Sequence, residues 1–156
     1  MEEDLAQVAR RSDQAVARAR AELVSTVRRA AAEGLTQAQI AREIGRSQPE
    51  VSRLLRFHGT SPLARRLRRS ASQVRQIVAE AGGDRVRVFG SVATGSDRPD
   101  SDVDLLFTMG APLSLMDLAR LEQRLEAAVG AQVDLVPDTS IRPELRDRVL
   151  AEAVAL

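Results

Sequence analysis

The sequence contains no cysteine, no tyrosine, no tryptophan and no lysine. Without cysteine there is no disulfide, no zinc–thiolate site and no thiol nucleophile. One histidine, His58, cannot build a metal site by itself and reads as a surface or helix-end residue. Without tyrosine the chain has no phenol of its own to modify. Long apolar runs are also missing: none approaches the ~20 residues that cross a bilayer, and the opening MEEDLAQVARR lacks the form of a signal peptide. A cytoplasmic protein with no membrane partner is the expectation.

What is present is arginine, 23 times against 22 acids, and the net charge of +1 hides an uneven distribution. Residues 1–61 carry ten arginines and eight acids. Residues 62–81 carry five arginines (65, 66, 68, 69 and 75) and Glu80 alone. Residues 82–156 carry eight arginines and thirteen acids. A basic connector thus precedes an acidic C-terminal half, an asymmetry that suits a nucleic-acid-facing front. The length fits one domain or two small ones.

Residues 2–33 lack Pro and Gly and are rich in helix formers. Leu5, Val8, Val16, Ala19, Leu23, Val27 and Ala30 keep one narrow apolar stripe. A long helix capped at Gly34 is predicted. Its stripe serves either to pack on the next helices or to pair with a second copy in a homodimer. Residues 35–57, LTQAQIAREIGRSQPEVSRLLRF, hold two capping boxes, Thr36 with Gln39 and Ser47 with Glu50, and Pro49 falls in the first turn of the second helix. Ile40, Ala41 and Ile44 face Val51 and Leu54, with Gly45 at the turn. This resembles the helix-turn-helix of phage-repressor-type regulators, which implies a second helix in the major groove of operon DNA. Gln48, Ser52 and Arg53 are then the outward base-reading residues, and Arg46 and Arg56 suit phosphates.

Gly59-Thr60-Ser61-Pro62 marks the expected boundary between domains 1–60 and 61–156, with Ser61 as N-cap of the next helix. That helix is predicted to run to Ala81, burying Leu63, Leu67, Val74, Ile77 and Val78. A later helix over 114–129, capped by Ser114, uses Leu115, Leu118, Leu121, Leu125 and Val129. A strand over 132–136 follows, and the tail IRPELRDRVLAEAVAL reads as an amphipathic helix with Leu145, Val149, Leu150 and Val154 inward.

Between these helices lies VRVFGSVATGSDRPDSDVDLLF, residues 86–107. A β-run ends in Gly90-Ser91, where backbone N–H groups and a hydroxyl at a helix start can hold phosphate oxygens. A second β-run alternates Asp102 and Asp104 with Val103 and Leu105, so the two carboxylates share one face. Such a pair calls for a hard divalent cation, most often Mg²⁺ completed by substrate phosphates. Asp134 repeats the apolar-acid-apolar pattern in the following strand. Thr94 and Arg98 lie in the intervening loop.

The spacing G-S-x10-D-x-D resembles the DNA polymerase β-like nucleotidyltransferases, above all the minimal nucleotidyltransferases of prokaryotes. The resemblance covers roughly residues 85–156. It implies a small transferase domain built on a short mixed sheet flanked by helices. The helix-turn-helix ahead of it departs from the bare minimal form, so the expected fold class is α+β, an N-terminal all-α helix-turn-helix domain followed by that transferase domain. The resemblance implies Asp102, Asp104 and Asp134 as catalytic metal ligands, with Asp134 also activating the attacking hydroxyl, and Gly90 and Ser91 binding the nucleotide. It further implies Mg²⁺-dependent transfer of AMP from ATP to a hydroxyl, expected to be a tyrosine, of a HEPN-like toxin neutralised by this antitoxin. Two other readings stay open: a DNA-binding regulator with a degenerate transferase domain, and an adenylyltransferase of a small molecule such as an aminoglycoside.

Overall fold

A computed structural model describes residues 4–156, so residues 2 and 3 of the expected first helix lie outside the described residues. The chain divides into two compact units, one ending at Leu55 and the other running Arg56–Leu156.

The first unit is three helices, α1 (Leu5–Ala32), α2 (Gln37–Ile44) and α3 (Gln48–Leu55). The Asp4 carboxylate accepts the Ala6 amide at 3.0 Å to start α1. Thr36 and Gln39 form the full capping box that starts α2. Gly45 ends α2 at φ +66°, a left-handed conformation that costs a glycine little. Ser47 accepts the Glu50 amide at 3.4 Å, while the Glu50 carboxylate stands 3.9 Å from Arg46. The core is Val27 with Ile40, Ala41, Val51 and Leu54. Only the last third of the α1 stripe is therefore used. Leu5 and Val16 remain 85% and 66% exposed, because within this unit α2 and α3 reach only the end of α1.

The second unit is built on a four-stranded sheet in the order β3-β2-β1-β4. Its elements are α4 (Pro62–Glu80), β1 (Gly83–Phe89), α5 (Gly90–Thr94), β2 (Val103–Met109), α6 (Leu115–Val129), β3 (Val133–Pro137), a 3-10 turn (Asp138–Ser140), α7 (Pro143–Glu152) and β4 (Val154–Ala155). The sheet is mixed: β1 pairs antiparallel with β2 and β4, while β2 and β3 run parallel. A parallel pair needs a crossover, and α6 supplies it. One face of the sheet presents Val86, Val88, Val103, Leu105, Phe107, Val133 and Leu135 to Leu63, Leu67, Val74, Ile77 and Val78 of α4 and to Leu121, Leu125 and Val129 of α6. Truncating a fully buried leucine such as Leu105 to alanine is worth about 2–5 kcal/mol in such a core. The period of two then places Asp104, Leu106 and Thr108 on the other face.

Three expectations need correction. The tail is not one helix: α7 stops at Glu152, and Val154 and Ala155 leave it to pair with Val88 and Arg87 on the free edge of β1. Val154 is buried as a strand residue, whereas Leu150 is exposed. Leu115 is 88% exposed, because α6 makes its core contact from Leu118 onward. The third is the division between the units, which falls after Leu55, five residues ahead of the one expected after Thr60. Phe57 is buried in the sheet unit and its amide donates to the Ala155 carbonyl at 2.8 Å, which ties residues 56–60 to β4. Ser61 caps α4 as expected, accepting the Ala64 amide at 3.1 Å, and its hydroxyl also donates to Asp97 at 2.6 Å.

Candidate active site

The site forms on the sheet face opposite α4 and α6, the face that also carries the fully buried Leu106. Asp104 sits second in β2 and Asp134 second in β3, and the parallel register makes them direct Cα partners. Both carboxylates therefore project from one patch, with Asp104 half-buried and Asp134 exposed. Asp102 is not in the strand as the alternating pattern suggested. It is exposed on the loop one residue before β2, because the ladder begins with the pairing of Val103 to Val133. Among the described residues no three carboxylate or histidine side chains are already gathered as a metal cage.

The other partner of Asp104 in the sheet is Phe89, the last residue of β1. Gly90 follows at φ +71° and opens α5, so the chain turns directly over the Asp104 carboxylate. A Cβ at position 90 would collide with an Asp104 carboxylate oxygen, so glycine is required both by conformation and by contact. Helix α5 has no side chain capping its start, leaving first-turn amides near Gly90 and Ser91 for another acceptor. Thr94 is committed elsewhere: its hydroxyl lies 3.3 Å from the carbonyls of Gly90 and Ser91 and 2.9 Å from Ser96, closing the short helix. The Arg98 amide donates to the Ser101 hydroxyl at 2.8 Å, shaping the loop that delivers Asp102.

Burial pushes the Asp104 carboxyl up to about 6, with Asp134, Asp102 and Glu152 adding like-charge repulsion in that order. Glu152, at the end of α7, is a fourth acid whose field reaches the site. Nothing local in the sequence marks it, since only the tertiary fold brings α7 toward β1 and α5. Thr108 and Arg87, on the same sheet face, both engage Asp138: the Thr108 hydroxyl donates at 2.6 Å and the Arg87 guanidinium lies at 3.7 Å. That buttress holds the turn after β3. The donor set fits Mg²⁺, which needs only one or two protein carboxylates and takes phosphate oxygens for the rest of its shell.

The expected DNA-reading residues fall in two places. Gln48 and Arg53 are exposed on α3, Ser52 is half-buried there, and Arg46 is exposed just before it. Arg56 is not on α3, which stops at Leu55; it belongs to the second unit, bridged to Ala155.

A protein-family model described as a nucleotidyltransferase domain matches residues 71–156. The candidate protein adenylyltransferase MJ0435 of Methanocaldococcus jannaschii is 42% identical over 78 residues, which are 50% of this chain and 84% of that protein. Protein adenylyltransferase MntA of Thermococcus cleftensis is 41% identical over 69 residues, 44% of this chain and 70% of that protein. A solved structure of a candidate minimal nucleotidyltransferase superposes with a TM-score of 0.53 at 46% identity, covering 58% of this chain and 92% of that one. The family match spans more than half of the chain and contains the paired carboxylates and the Gly90 turn. On these grounds the chain belongs to the nucleotidyltransferase domain family, in its minimal form, carried here behind three additional helices.

Proposed function

We propose that this chain is an antitoxin-type protein adenylyltransferase. It transfers AMP from ATP to a hydroxyl, by resemblance a tyrosine, of a HEPN-like toxin. The observation that carries the reading is the side-by-side register of Asp104 and Asp134 beneath the Gly90 turn. The relative MntA, named a protein adenylyltransferase, and MJ0435, a candidate one, give the acceptor class its support.

In the reaction the acceptor oxygen bonds to the α-phosphorus, the bond from that phosphorus to the bridging oxygen breaks, and pyrophosphate leaves. Asp134, the exposed member of the pair, takes the acceptor's proton. Gly90 and Ser91 hold the departing phosphates through backbone N–H groups and the Ser91 hydroxyl. Asp102, Asp104 and Asp134 would hold Mg²⁺, whose chemistry is to neutralise phosphate charge. Positioning and charge neutralisation dominate such transfers, so a site made of few parts suffices. The exposed Asp102 and Asp134 suit an acceptor that brings its own surface.

The first unit serves a second role, binding operon DNA through α2 and α3. Support comes from the αL turn at Gly45, the shared core of Ala41, Val51 and Leu54, and the exposed Gln48 and Arg53. A homodimer paired along α1 covers Leu5, Val8 and Val16, which extend the stripe that Val27 uses inside the unit. Incubating the chain with labelled ATP and the product of its neighbouring gene tests the main reading. Label on a tyrosine of that partner is the expected result. Label only on an aminoglycoside, or none with ATP, Mg²⁺ and partner present, would overturn it in favour of a small-molecule enzyme or a pure regulator.

A further inference from the structure

The twenty residues from Arg56 to Arg75 contain six arginines and His58 and not one acid. The fold gathers part of this run into a groove of about 270 Å³ on the second unit. Its lining includes Arg56, His58, Arg68, Arg69 and Arg75, and no carboxylate side chain contributes. All five of these side chains are exposed. The small residues Ala71 and Ser72 lie between the arginines, so the groove has a shallow floor rather than a filled one.

The helix explains the alignment. Arg68, Ser72 and Arg75 are spaced by four and three, which places them in a row on one side of α4, opposite the buried Leu67, Val74 and Ile77. Arg68 and Arg75 stand about 10 Å apart along the axis at 1.5 Å per residue. Both are held in position: Arg68 donates to the Gly59 carbonyl at 3.3 Å, and Arg75 to the main-chain oxygen of Leu156 at 3.0 Å and to Ser72 at 3.3 Å. These bonds orient the guanidinium planes without setting a side-chain carboxylate against them.

We infer that this groove is a phosphate-backbone site for duplex DNA. Several features favour DNA over an acidic protein. Protein interfaces are built on an apolar centre, and the apolar members of this lining are few, with Phe57 buried. A row of exposed arginines without acids is the footprint of a phosphate track. The carboxylate site projects from the sheet face that α4 does not cover, so the two activities use separate surfaces. This inference adds a surface to the helix-turn-helix reading and is tested apart from it.

The test uses the full chain and a random-sequence duplex of about 40 base pairs, titrated between 50 and 200 mM salt. Neutralising two phosphate contacts with Arg69→Gln/Arg75→Gln should lower the slope of log K against log salt by about 2. Affinity for random and operon duplexes should fall by one common factor, on the order of tenfold, with the far-ultraviolet spectrum and AMP transfer unchanged. Arg65→Gln, on α4 but outside the groove, should leave the slope as it is. Arg53→Ala alone reports on base reading by α3: if it changes no preference, the helix-turn-helix reading fails while the salt slope still judges the groove. An unchanged slope in the double variant overturns the groove. So does an equal fall in Arg65→Gln, or a loss of binding to polyglutamate with DNA binding intact.

Discussion

Asp104 and Asp134, thirty positions apart in the sequence, are direct neighbours across the parallel pairing of β2 with β3. The register makes one acidic patch out of two separate apolar-acid-apolar segments. It also makes the half-buried Asp104 carboxylate costly to ionise without a counter-charge, which is a useful condition for a site that must collect phosphate-bearing substrates.

Asp104→Asn should abolish AMP transfer, by more than about a hundredfold, while the far-ultraviolet spectrum stays the same. The change removes charge from the half-buried patch and leaves Leu105 and Phe107 in place on the opposite face. Asp134→Asn should show the same loss. Full activity in either variant, or in excess EDTA, would contradict the assigned chemistry.

The same substitution should stabilise the metal-free protein at neutral pH. The Asp104 carboxyl is raised from 3.8 to about 6 on folding, chiefly by burial and then by its acidic neighbours. The folded state therefore holds this proton more tightly than the unfolded chain. Stability must fall as pH rises from about 4 to about 6, since the unfolded chain binds fewer protons in that window. In EDTA, Asp104→Asn should melt above the parent at pH 7.5, and the gap should close as the pH falls toward 4. A gap that is constant with pH would assign the effect to packing instead.

Gly90→Ala should damage the enzyme in two ways. A left-handed residue with a Cβ costs about 1–2 kcal/mol, and here the added carbon meets the Asp104 carboxylate. Denaturant melts should show the loss, and transfer at saturating ATP should fall well beyond the fraction unfolded. Gly45→Ala, also left-handed but with open space around it, should cost stability alone and leave transfer intact.

Fragments should separate after Leu55. Residues 56–156 retain Phe57 in the core and its bond to Ala155, and should fold and transfer AMP. Starting at Ser61 discards that side chain, a loss of about 3–5 kcal/mol by analogy with phenylalanine-to-alanine truncation in cores. Starting at Gly83 removes α4 and should aggregate, since Leu63, Leu67, Val74 and Val78 cover one sheet face. Equal melting of the 56–156 and 61–156 fragments would show that Phe57 contributes little.

The local sequence was enough wherever a bond spans three or four residues. The Thr36–Gln39 box, the Ser61 and Ser114 caps, and the glycines that end α2 and α6 were all legible, because the partner lies within one helical turn. Asp102, Asp104 and Asp134 could be named from pattern and spacing, since strand periodicity and a short motif are also local properties. Their grouping could not. Asp102 falls outside β2 because the ladder with β3 starts at Val103, and only pairing decides that. The tail shows the limit most clearly. Its apolar spacing fits a helix through Val154, yet the last residues become β4, because the open edge of β1 offers backbone partners that a lone sequence segment cannot reveal. Once placed there, β4 draws in Phe57 through the Ala155 carbonyl and so moves the division between the units to Leu55. Exposure along α1 has the same origin: the stripe is written evenly from Leu5 to Ala30, but α2 and α3 are long enough to cover only its end. Sequence determined which faces are apolar and which residues carry charge; tertiary structure decided which of those faces meet, because contact depends on length, register and free edges that are properties of the partners.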